Sequence, residues 1–153
     1  MEPISIAASI YGLIEAGKKT IQLITTMIDA PQTALNVLRE VQTLQVIFRQ
    51  VQGLISGRGQ QSISGRERIS LDDLVFTLTS CVCLFSELDA ALESLGARTV
   101  GQKLTTWGKA KWAAKEGSIE KILRNLQMSK ISLQCMMSIY LWFVTRILLF
   151  YLI

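Results

Sequence analysis

Between Ser70 and Leu95 the apolar side chains fall at Leu71, Leu74, Leu78, Cys81, Phe85, Leu88, Leu92 and Leu95, in alternating steps of three and four. That is the period of one continuous helical seam, and no strand can use it. Ser70 stands where an N-cap belongs, Asp72 and Asp73 suit the positive end of the helix dipole, and Gly96 is placed to stop the helix. The same step recurs three more times. Ile6, Ile10, Leu13, Gly17, Ile21, Ile24 and Ile28 predict a first helix over Ile4 to Ile28, with Pro3 as its starter. Asp29-Ala30-Pro31 breaks it, because proline lacks an amide proton and restricts the residue before it. Ala34, Val37, Val41, Leu44, Phe48, Val51 and Ile55 predict a second helix, antiparallel to the first across a short turn. Ile119, Ile122, Leu126, Ser129, Leu133, Met136 and Tyr140 predict the last.

Between these lie two connections and one short helix. Ser56 to Ile69 is rich in Gly, Ser, Gln and Arg with no apolar period, and reads as a loop whose arginines are solvated or touch an acidic partner or lipid headgroups. Residues 102–115 interleave Trp107 and Trp112 with Lys103, Lys109, Lys111 and Lys115, and Gly117-Ser118 is expected to separate this short helix from the next. Tryptophan among lysines suits a membrane interface, and it equally suits indoles capping the open end of a bundle under lysine stems. The expected fold is therefore an all-α antiparallel bundle of four long helices with a short Trp/Lys helix before the last one.

Beyond Lys130 the polar positions disappear. Ile131 to Ile153 holds one charge, Arg146, and at helical rise reaches about 34 Å, against a bilayer core of about 30 Å. From Ile139 onward the run is apolar all round. Arg146 near its far end would have to snorkel outward, and Lys121, Arg124 and Lys130 ahead of it would keep the bundle on the cytosolic side. A tail anchor, the buried end of the last helix and a gene-model accident all fit this run. The expected division is a helical domain over residues 1–137 and an apolar C-terminal tail over residues 138–153.

Composition removes most chemistry. Histidine is absent, so Ser-His-Asp and Cys-His catalysis and zinc sites with histidine drop out. Cys81 and Cys83 lie two apart on one helix and face different sides, while Cys135 is remote, so buried reduced thiols are the simple reading. Gly12 to Lys19, GLIEAGKK, matches a phosphate loop except that Lys19 replaces its Ser/Thr, but the helical period runs straight through it. We expect no enzyme activity, no cofactor, no metal, no nucleic-acid partner and no small-molecule substrate. Charge also separates along the chain. Ser70 to Leu95 carries five acidic and no basic residues, and Gly96 to Lys130 eight basic and two acidic. This favours pairing the last helix with the third. Met1-Glu2-Pro3 supplies no basic n-region, so the expected location is cytoplasmic, with membrane association through the tail.

Five stretches together resemble a known family: MEPISIAASIYGLIEAGKK at the start, Val41 to Leu54, Ser70 to Leu92, Trp107 with Lys111-Trp112, and Ile122-Leu123 to Leu133. They look like the fungal N-terminal domain of STAND and NOD-like receptor proteins, also named after azaphilone pigment cluster protein L and described as HeLo-like. The resemblance covers about residues 1 to 137 and rests on helical patterns, not catalytic residues. It implies a bundle that signals in self-recognition or programmed cell death through other helical domains or self-association. Related HeLo domains imply insertion of the first helix into a membrane. The candidate contact residues are then Ile6, Ile10, Leu13 and Ile21 on the first helix, Trp107, Lys111 and Trp112 on the short one, and Trp142 and Arg146 in the tail. The family ordinarily continues into more polar sequence, and into nucleotide-binding or repeat modules, where this chain has its apolar run.

Overall fold

A computed structural model of the chain describes residues 3–56, 65–95 and 106–153, apart from a few side chains within them. It contains four helices: α1 over Pro3–Thr25, α2 over Gln32–Ser56, α3 over Gly65–Ser94 and α4 over Thr106–Leu152. Helix α1 begins on its proline, where the missing amide proton costs nothing. It ends three residues short of Ile28. The Thr25 and Thr26 hydroxyls donate back to the carbonyls of Ile21, Gln22 and Leu23, and Asp29 turns into the left-handed region with φ 57°. Pro31 then serves as the cap of α2, its carbonyl accepting from the Leu35 amide at 3.2 Å.

The helices form a ring in which α1 packs on α2 and α3, and α4 on α2 and α3. Helices α2 and α4 run in the same direction, because Thr33 meets Glu116 at 2.6 Å and, further along both, Glu40 meets Lys130 at 2.7 Å. Their opposite numbers, α1 and α3, run the other way: Gln45 of α2 reaches the Ile14 carbonyl, Phe85 of α3 meets Phe48 one turn beyond, and Asp89 meets Lys19. Direction thus alternates along the chain. Helices α2 and α3 are diagonal partners, joined only across the middle of the core, where the Phe48 and Phe85 rings lie 6.2 Å apart. The centre is filled by Ile10 and Leu13, Val41 and Leu44, Leu78 and Leu88, and Ile119, Leu126 and Leu133, each effectively sealed from water. Each such side chain contributes about 1.5–3 kcal/mol relative to exposure.

Two expectations are corrected here. Ser70 is not a cap: α3 starts at Gly65, since nothing in Arg66 to Ile69 breaks a helix and adding a turn to an existing one is cheap. No short Trp/Lys helix stands apart, because α4 continues through Gly117 and Ser118. Both residues are exposed, and the space around Gly117 is open, so neither disturbs the core face. Gly96, expected to stop α3, lies outside the described residues.

Helix α4 holds the bundle together on a stripe with heptad spacing. Trp112, Ile119, Leu126 and Leu133 are all buried, at steps of seven. After Leu133, Met137 still packs against the core and Met136 and Tyr140 are half-buried. The helix nevertheless continues to Leu152, so the remaining turns, roughly 22 Å at helical rise, project without cover.

Candidate functional site

The projecting end of α4 is the most unusual surface on the molecule. Ile139, Leu141, Trp142, Phe143, Ile147, Leu148, Leu149 and the residues after them are all exposed, from 43 % at Phe143 to complete exposure at Ile153. Because they occupy consecutive positions, they point to every side of the helix instead of one. A soluble protein scatters single exposed apolar residues; a continuous apolar surface of this size marks a contact site.

Its few polar groups are turned inward. Ser138 Oγ donates to the Gln134 carbonyl at 2.9 Å, and Thr145 Oγ1 to the Leu141 carbonyl at 2.8 Å. Both hydroxyl protons are satisfied within the helix. Arg146 folds back one turn, with its guanidinium 4.9 Å from the centroid of the Trp142 ring, and Phe150 meets Tyr151 edge-on. Cation and indole therefore lie in one layer. The snorkelling direction differs from the expected one: Arg146 reaches toward the bundle and not toward the far end of the run.

The other predicted contact residues lie elsewhere. Ile6, Ile10 and Leu13 are buried in the core and Ile21 is half-buried against it, so they hold α1 in the bundle and present no contact surface. Trp112 is 3 % exposed, its Nε1 lacking a hydrogen-bond partner, and packs inside instead of at an interface. Its place in the stripe of seven was the signal for that. Lys111 is exposed beside it, and the Trp107 side chain lies outside the described residues. Trp142 and Arg146 are brought together on the projecting end.

Reactive alternatives are weak. The GLIEAGKK segment is plain helix within α1, with Lys18 paired to Glu15 at 2.8 Å and Lys19 to Asp89 at 3.1 Å. Gly17 is there for packing: the Gln45 side chain lies against it and its amide donates to the Ile14 carbonyl at 2.7 Å. Cys81 is buried, and burial pushes its thiol up to about 11 against a smaller opposing effect from its bond to Ser129, so it is a poor nucleophile. Cys83 and Cys135 are exposed and free. Among the described residues no three Cys, Asp or Glu side chains converge on a metal-sized point.

The fold and site define a four-helix bundle with an uncovered apolar helix extending from it. Comparison with family models, with curated proteins and with solved structures finds no match to this chain.

Proposed function

We propose that this protein is a non-enzymatic helical interaction module held at a membrane by the projecting end of α4. The observation that carries this reading is that Ile139, Leu141 to Phe143 and Ile147 to Leu152 are exposed apolar side chains distributed around the helix. A protein groove covers one face of a helix, whereas lipid covers every face. Helix α3 is also long and apolar enough to cross a bilayer, but a third of its most apolar stretch is buried and its seam is core. Exposed Lys121 and Arg124, on α4 before the apolar run, favour a cytosolic bundle.

What the bundle does there rests on the family resemblance. On that basis it acts as a signalling domain of the kind found in fungal NOD-like receptors, through contacts with helical partners or its own copies. The packing of Ile6, Ile10, Leu13 and Ile24 speaks against α1 as the inserting element, since its release would empty the core. The test is fractionation of cells expressing the full chain, with alkaline carbonate extraction of the membranes. The full chain is expected in the carbonate-resistant pellet, and variants lacking residues 138–153 or carrying Leu148→Arg in the soluble fraction. A full chain that stays soluble refutes membrane attachment.

A further inference from the structure

The bundle and the apolar helix meet at a definite level, and that level carries its own chemistry. Helices α2 and α4 run in parallel, with Thr33 beside Glu116 and Glu40 beside Gln127, positions 83 and 87 apart in sequence. With Glu40 also bonded to Lys130, 90 positions on, these offsets carried along both helices set Ser56, the last residue of α2, level with about residues 139–146 of α4. The Trp142 indole lies at that rim, with the Arg146 guanidinium folded back over it. Indole and guanidinium both favour the boundary between water and hydrocarbon, the first for its amphipathic ring, the second because its stem lies along apolar surface while its charge stays wet.

We propose that the water–membrane boundary on α4 falls at Trp142, so that lipid meets the helix from about Phe143 onward, the stretch to Ile153 reaching about 16 Å or roughly one leaflet deep, and the bundle stands in water with its end at headgroup level. This rests on the membrane reading above and fixes its register. The competing register follows from hydropathy alone and starts the hydrocarbon near Ile131. It would submerge the last turns of α2, with exposed Arg49 and Gln50, and the adjoining part of α3, with exposed Asp72 and Asp73. It would also exchange the core contacts of Leu133 and Met137 for lipid and place Arg146 deep in the bilayer. Charges on the flank of a bundle forbid that depth.

The experiment uses the full chain with Cys83→Ser and Cys135→Ser, leaving buried Cys81 in place, and a single new cysteine, Ile139→Cys or Leu148→Cys, carrying an environment-sensitive fluorophore. Each is reconstituted into vesicles of phosphatidylcholine and phosphatidylserine. At Leu148→Cys the label is expected to shift to the blue and to be quenched by spin-labelled acyl chains. At Ile139→Cys it should respond to aqueous iodide with a quenching constant several-fold larger than at Leu148→Cys. Adding Arg146→Leu should draw Ile139→Cys into lipid, and Arg146→Lys should not. Equal lipid protection at both positions in the parent would overturn the register while leaving membrane attachment standing. No change at either position on adding vesicles would sink attachment itself. Self-quenching between copies that persists when lipid is in large excess would show that a second copy covers the helix, which also overturns the proposal.

Discussion

Replacing Gly17 by alanine tests the contact between α1 and α2 at Gln45. A Cβ built on Gly17 falls against the Gln45 side chain, in collision with Nε2 and only 2.8 Å from Cδ and 3.2 Å from Cγ. Gln45 is 3 % exposed, and its amide is committed to the Ile14 carbonyl at 2.7 Å. The far end of a glutamine is flexible on a surface, but here it has nowhere equivalent to go. Its Oε1 already lacks a hydrogen-bond partner, so displacing Nε2 leaves the whole amide buried and unpaired. An unpaired buried donor costs about 1–3 kcal/mol, and forcing a methyl into a filled site costs another 1–3, roughly. Against this, alanine in mid-helix returns about 1 kcal/mol over glycine. The balance is a loss of about 3 kcal/mol, or roughly 5–10 °C in Tm for a chain of this size. The measurement is urea and thermal unfolding of the full chain, followed by far-UV circular dichroism in a mild detergent that covers α4. The control is Gln45→Ala, in which the obstructing amide is gone. In that background Gly17→Ala is expected to be neutral or to stabilise by up to about 1 kcal/mol, giving a coupling of at least about 2 kcal/mol between the two sites. If Gly17→Ala raises stability with Gln45 intact, the contact does not exist and α1 and α2 are packed differently.

Three further outcomes are expected. Glu40 and Lys130 form a 2.7 Å ion pair with side chains only 13 % and 21 % exposed, so Lys130→Met should cost about 1–3 kcal/mol by stranding the carboxylate, and Glu40→Gln with Lys130→Met together should cost clearly less in the same unfolding assay. Gly117→Ala should stabilise by about 1 kcal/mol, because the site is exposed helix with open space around it; destabilisation would mean that α4 breaks there after all. Cys83 and Cys135 should react with a maleimide in the native protein and Cys81 only after unfolding, counted by mass spectrometry. Between the ordinary thiol value of 9.0 and about 11 the folded Cys81 keeps a proton that the unfolded chain has lost, so its contribution to stability is complete below that window and declines as pH rises through it.

The bundle was legible because its burial follows one period: the seams of α1, α2 and α3, and of α4 from Ile119 to Leu133, supply nearly all of the core. Two features were not legible, for different reasons. Gly117-Ser118 looks like a break because glycine and serine are poor helix formers, yet on an exposed face their cost is small beside the burial of Trp112 and Ile119 on either side. The neighbours were legible only in part, because each seam states that it needs cover and not by which helix; charge pointed to α3 beside α4, while nothing local showed that α2 lies diagonal to α3. At the candidate site, the apolar run and its Trp142 and Arg146 were visible in the sequence. Their stacking was not, since it depends on the rotamer that sends the guanidinium back one turn. Ile6, Ile10 and Leu13 show the limit most clearly, because an apolar helix face reads the same whether it is meant for a core or for lipid.

The unbroken course of α4 has a mechanical consequence. One rod runs from Trp112, through the stripe that clamps the bundle, to Leu152, with no loop or glycine hinge between Leu133 and Trp142. The two halves are therefore joined by continuous helix and have no loop about which to swivel. A twist or tilt imposed on the projecting end is delivered as torque to Leu126 and Leu133, and a partner that rotates the bundle turns the face that Trp142 and Arg146 present.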